Sequence, residues 1–157
     1  EQLLGLIGSM ADYIILDLPH GTPTWQSTIF SKLDQVALIV YPDLANLRDA
    51  KKVFDQIDEH TNMGPGVNFV LNKVGLSASS ELSAKEFEKV LNLKPIQLVP
   101  FDPKLFGKSL NNGAPIVATD KRSKVSSSII KIAQNLAGKE EKAKTSNLIS
   151  KFFKKKQ

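Results

Sequence analysis

An α/β fold, a doubly wound and mostly parallel sheet with helices on both faces, is what this sequence predicts. Three observations predict it. Short continuous apolar runs rich in strand formers recur along the chain, proline or glycine breakers bound them, and segments of helical periodicity separate them. Leu3, Leu4, Ile7, Met10 and Ala11 recur at helical spacing, so residues 1–11 read as a helix. Tyr13–Leu18 is the first strand, stopped by Pro19. Gln35–Tyr41 is the second, ended by Pro42, and Leu44, Leu47, Ala50, Phe54 and Ile57 then make the apolar stripe of a helix between Asp43 and His60. The breaker cluster Gly64-Pro65-Gly66 introduces a third strand, Val67–Val74. Ser83 and Glu86 form a capping-box signature, with Phe87, Val90 and Leu91 as the buried face of the helix it starts. Ile96–Val99 is the fourth strand, set between Pro95 and Pro100. Asp120 is the expected cap of a last helix that buries Val125, Ile129, Ile130, Ala133 and Leu136 and stops at Gly138.

At 157 residues, 41% apolar and 24% charged, the chain is sized for one globular domain. It has no cysteine, which excludes a disulfide scaffold and a thiolate metal site. Its apolar runs are far below the roughly 20 residues of a membrane span. It opens at Glu1 with no basic leader, so no signal peptide is expected, and the missing Met suggests a fragment. The formal charge of +5 is uneven: Lys139–Gln157 holds seven lysines and two glutamates, and residues 1–138 balance. Two segments follow, a body over 1–138 and a basic tail over 139–157. A neutral body argues against nucleic acid as partner, because phosphate binding needs clustered Lys and Arg.

In open α/β sheets ligands bind beyond the carboxyl ends of the strands. The first strand ends in Asp17-Leu18-Pro19-His20-Gly21, where an acid can face a metal ion and a glycine N–H can reach a phosphate oxygen. An acid followed by a Pro-Gly turn also simply ends strands. Asn72-Lys73 closes the third strand, and an Asn amide pairs a donor with an acceptor as the edge of adenine requires; Asn is equally a turn former. Pro100-Phe101-Asp102 follows the fourth strand as a stiff loop able to frame a base, or as a plain proline-bounded turn. Gly107-Lys108-Ser109 is no phosphate loop, since Asp102 stands where that motif needs Gly and the segment reads as helical. His20 and His60 lack metal-ligand spacing, and no G-x-S-x-G elbow occurs.

In combination these segments resemble one family. Asp12-Tyr-Ile-Ile-Leu-Asp17-Leu-Pro-His-Gly21 resembles the switch II segment of the MinD/ParA-type P-loop ATPases. Tyr41-Pro-Asp-Leu-Ala-Asn-Leu-Arg48-Asp49-Ala50 is similar to the family's next strand-to-helix junction, and Asn72-Lys73 to its adenine-reading strand end. Pro100–Gly113 is closest to the CpaE/TadZ branch, which serves pilus assembly. The resemblance covers residues 1–138, the second half of the family's ATPase domain. It implies ATP and Mg²⁺ as ligands, with Asp17 facing Mg²⁺ through water and the Gly21 N–H sensing the γ-phosphate. It also implies that Asn72 and Lys73 meet the adenine, that Pro100, Phe101 and Asp102 line it, and that Arg48 and Asp49 lie near the interface of a nucleotide-dependent homodimer. The family's phosphate loop is expected upstream of Glu1. Without it this chain alone is expected to be inactive, to bind ATP poorly, and to be marginally stable for want of a central strand.

In the tail, Leu148, Ile149, Phe152 and Phe153 share one helical face, while Lys144, Lys151, Lys154 and Lys155 lie outside it or at its border. A helix lying on an anionic membrane is expected, with a solvated lysine-rich end as the alternative. The MinD resemblance points to the same helix. The whole reads as a cytoplasmic ATP hydrolase, peripheral at the inner face of the membrane, which positions pilus or secretion machinery by closing and opening a dimer. A scaffold without turnover is the second reading, and a DNA-partition ATPase of the ParA type the third.

Overall fold

A computed structural model describes residues 6–18, 29–30, 32–60, 66–77 and 79–138. Strands β1 (Gln35–Val40), β2 (Gly66–Val74) and β3 (Gln97–Pro100) form a parallel sheet in the order β1-β2-β3. β1 and β2 pair without a break from Gln35 with Gly66 to Val40 with Leu71. Helix α1 (Leu44–His60) carries the chain from β1 to β2, and α2 (Ala84–Leu91) from β2 to β3. Helices α3 (Pro103–Asn111), α4 (Ile116–Thr119) and α5 (Lys124–Leu136) follow β3. The α/β expectation thus holds.

The strand order dictates the layers. A sheet that advances one strand at each right-handed crossover puts both connecting helices on one face. Val40, Phe69 and Leu71 accordingly meet Leu47 and Ala50 of α1 and Phe87 and Leu91 of α2. Phe69 and Phe87 stack with ring centroids 6.1 Å apart. Alternation along β2 turns Val70 to the opposite face, where Val99 and helices α3–α5 cover it through Leu105, Ile116 and Val125. That second layer stops short of β1, and Ile39 stays 59% exposed. A third cluster, Phe30, Val36 and Ile57, takes in Leu18.

The helix starts have local causes. Ser83 Oγ accepts the Glu86 N–H at 3.3 Å and the Glu86 carboxylate accepts the Ser83 N–H at 2.6 Å, the reciprocal box expected. Asp102 caps α3 by accepting the Leu105 N–H at 3.0 Å, with Pro103 in the first turn. For α5 the cap is Ser123, which accepts the Ser126 N–H at 3.0 Å, and not Asp120. Asp120 closes α4 and accepts the Arg122 N–H at 2.9 Å, so the α4–α5 turn engages it instead.

Three further expectations are corrected. Tyr13–Leu18 is not a strand, and Ile15 is 93% exposed. Strand-forming residues need a neighbouring ladder, and among the described residues none pairs with this segment. In the opening helix only residues 6–8 are helical among those described, and Met10 is exposed. Leu44, Val90, Ile130 and Ala133 are exposed. Periodicity marks a broad apolar stripe, whereas the sheet covers only its middle. Gly107–Ser109 lies inside α3, so the segment is helical as read, and Gly138 takes the left-handed conformation (φ +64°) just past α5.

Candidate functional site

The carboxyl ends of β2 and β3 meet in a bulge. Between the pairs Leu71–Leu98 and Val74–Pro100, β2 carries two residues, Asn72 and Lys73, where β3 carries only Val99. Lys73 is left-handed with φ +56°, a conformation that costs an L-residue about 1–2 kcal/mol. The turn is then closed by the Leu76 N–H donating to the Lys73 carbonyl at 3.1 Å, and the Phe101 N–H donates to the Val74 carbonyl at 2.8 Å. Lys73→Gly should remove the strain and stabilise the domain by about 1 kcal/mol, read from urea denaturation midpoints. A lysine held there at a cost is the kind of strain that clusters at functional corners.

Asn72 is half-buried, and its Oδ1 accepts the Lys73 N–H at 2.9 Å. That bond fixes which end of the amide is which, and Oδ1 keeps a second lone pair beside the Nδ2 donors. The backbone pairing brings Asn72 and Lys73 together with Pro100 and Phe101 in one corner, where Phe101 is 37% exposed. The Asp102 carboxylate is engaged as the α3 cap, so this residue offers the corner its backbone. An amide with adjacent donor and acceptor, next to a stiff loop with an aromatic side chain, can read the edge of a purine.

Glu81 was not singled out in the sequence. Its Oε1 and Oε2 each accept the Gly75 N–H at 3.0 Å, and Oε1 accepts the Ser77 N–H at 2.9 Å. The signal available was a lone acid six residues after a glycine in a serine-rich loop. The Ser77 bond, then that of Gly75, holds the Glu81 carboxyl below its ordinary value of 4.5. The Ser83 N–H and hydroxyl do the same for Glu86. Both groups are ionised more readily folded than unfolded, so they add stability above about pH 4.5 that is lost as the pH falls through their lowered values. Thermal melts from pH 6 to pH 3 should show Tm falling below about pH 4.5, and less steeply in Glu81→Gln.

The remaining candidates stand apart. Asp17 is exposed, and Leu18 beside it packs with Val36 and Ile57 toward the amino end of β1. Val36 lies near the start of β1, about 13 Å of strand from Val40 at its carboxyl end. Arg48 and Asp49 are exposed on α1, with Asp49 3.3 Å from Lys52, a surface pair of little energetic weight. Gly21 and the tail residues Leu148, Ile149, Lys151, Phe152, Phe153, Lys154 and Lys155 lie outside the described residues. Among the described residues no group of three or more His, Asp or Glu is placed to hold a metal ion, and no helix is long and apolar enough to cross a membrane.

No family model matches the chain. It is 29% identical over 159 residues to an uncharacterized ATP-binding protein of Methanocaldococcus jannaschii, covering 98% of this chain and 58% of that one. It is 28% identical over 129 residues to the septum site-determining protein MinD of Helicobacter pylori, covering 77% and 48%. Its fold matches the MinC:MinD cell division protein complex of Aquifex aeolicus with a TM-score of 0.74 at 25% identity, over 88% of this chain and 57% of that one. The chain therefore spans about half the length of the curated relatives it matches.

Proposed function

We propose that this chain carries the base-reading end of a MinD/ParA-type P-loop ATPase, the family its likeness in sequence and fold supports. The observation that carries the reading is the bulged strand end, where a left-handed Lys73 holds the amide of Asn72 beside Pro100 and Phe101. In this reading Asn72 hydrogen-bonds the adenine, with the Pro100–Asp102 backbone along the base. The β- and γ-phosphates would be cradled by the portion of the family's length that this chain does not match. Asp17 is assigned to Mg²⁺ through water and Gly21 to the γ-phosphate. One or two carboxylates, completed by phosphate oxygens and water, suffice for Mg²⁺, so a lone acid suits it and a preformed cage is not required.

Arg48 and Asp49 are assigned to the interface of a nucleotide-dependent homodimer. The tail from Leu148 to Lys155 is assigned to an anionic membrane surface at the cytoplasmic side. Paired tails in a dimer would couple membrane avidity to ATP binding. Pilus or secretion machinery as the cargo rests on the resemblance of Pro100–Gly113 alone. A MinD-like membrane-localising scaffold without turnover is the second reading, and the likeness to MinD proteins is compatible with it.

The test is Asn72→Ala in the full-length protein, titrated with fluorescent ATP and GTP analogues. ATP affinity should fall about tenfold, with GTP affinity unchanged. Unaltered ATP affinity would remove Asn72 from the site and the reading with it.

A further inference from the structure

We propose that Glu81 is the positioning residue of the base-reading corner: by clamping the N–H groups of Gly75 and Ser77, it sets the placement of Asn72 and Phe101. The inference rests on the reading of that corner as a nucleotide site.

The clamp is directly wired to both walls. Gly75 follows Val74, whose carbonyl receives the Phe101 N–H at 2.8 Å. Lys73 lies one residue further back, and its N–H holds the Asn72 amide at 2.9 Å. Gly75, Leu76 and Ser77 are all exposed, so little burial holds this turn. Its backbone closure is the 3.1 Å bond from Leu76 to Lys73, and the Ser77 carbonyl accepts the Ser80 and Glu81 N–H groups at 2.9 and 3.1 Å, which leaves the Gly75 end to the carboxylate. A carboxylate receiving N–H groups forms charge-assisted bonds, roughly twice as strong as neutral ones. It is presented from a fixed base, because the next residue, Leu82, donates to the Pro42 carbonyl at 2.8 Å and Ser83 caps α2. Glu81 thus spans from the end of β1 to the end of β2. Gly75, at φ +93°, adopts a backbone conformation that L side chains rarely take.

A clamp that only steadies a loop would change thermal stability and leave base preference alone. A positioning residue changes base preference. Full-length wild type, Glu81→Ala and Glu81→Gln are therefore compared in three ways: affinity for fluorescent ATP and GTP analogues, thermal melting, and amide hydrogen exchange at Gly75 and Ser77. The ATP-over-GTP preference should fall about tenfold in Glu81→Ala, with faster exchange at both amides. Glu81→Gln, which keeps an acceptor oxygen, should restore part of the preference. Faster exchange with unchanged preference overturns the positioning role. Unchanged exchange overturns the clamp itself. Exchange is read without nucleotide, so a wild type that prefers neither nucleotide fells the base-reading assignment and the positioning role together, while the clamp is still seen. If Glu81→Ala does not fold, Ser77→Pro, which deletes one donor, takes its place with the same expected loss of preference.

Discussion

Phe87→Ala is expected to lower the stability of the domain by about 3–5 kcal/mol, the usual cost of emptying a fully buried aromatic site. Phe87 is 0% exposed, stacks on Phe69, and lies where α2 meets the sheet beside Val40, Leu71 and Leu91. The cavity has little prospect of collapsing, because the strands beneath it are held in register by their ladder. Against the roughly 5–15 kcal/mol that a domain possesses, such a loss leaves much of the population unfolded at 37 °C. Urea denaturation checks it, with Phe87→Leu, which refills most of the site, as the control expected to cost clearly less than Phe87→Ala. Equal losses for the two variants would mean that α2 does not close this core.

The second large effect is polar. Ser126 is buried at 0% exposure, and its hydroxyl lies between the Asp120 carbonyl, the Ile116 carbonyl at 3.3 Å and the Ser123 Oγ at 2.9 Å. Ser126→Ala withdraws one donor from two carbonyls at the α4–α5 turn, and a loss of about 1–3 kcal/mol should follow. Ser127→Ala, an exposed neighbour, should stay within about 0.5 kcal/mol. The contrast between the two, measured by thermal melting, isolates the network from helix propensity.

The elements legible in the sequence were those whose local signals agree with their neighbours. β2 carries Val67, Phe69, Val70 and Leu71 behind the breaker cluster Gly64-Pro65-Gly66, and α2 announces itself through Ser83 and Glu86. Tyr13–Leu18 has equally strong strand chemistry, yet strand chemistry only becomes a strand beside another one. Asp120 reads as a cap because Asp is a good one, but the choice between Asp120 and Ser123 depends on where α4 stops. At the candidate site, Asn72 and the Pro100–Asp102 loop were legible as strand ends. The left-handed Lys73 was not, since nothing in a lysine announces positive φ. Glu81 was illegible for a different reason: its role arises only when the backbone folds three residues of loop around its carboxylate.

The two sides of the sheet are bonded differently. Under α1 and α2 the contact is made by aromatic and aliphatic groups. On the α5 side aliphatic packing is supplemented by hydroxyls, with Ser128 Oγ donating to the Leu98 carbonyl at 3.0 Å and receiving the Gln97 amide at 3.2 Å. Apolar adhesion weakens in the cold, whereas hydroxyl-to-carbonyl links do not share that temperature dependence. Cooling should therefore weaken the side of the sheet under α1 and α2 by more than the side under α5, where hydroxyl bonds share the contact.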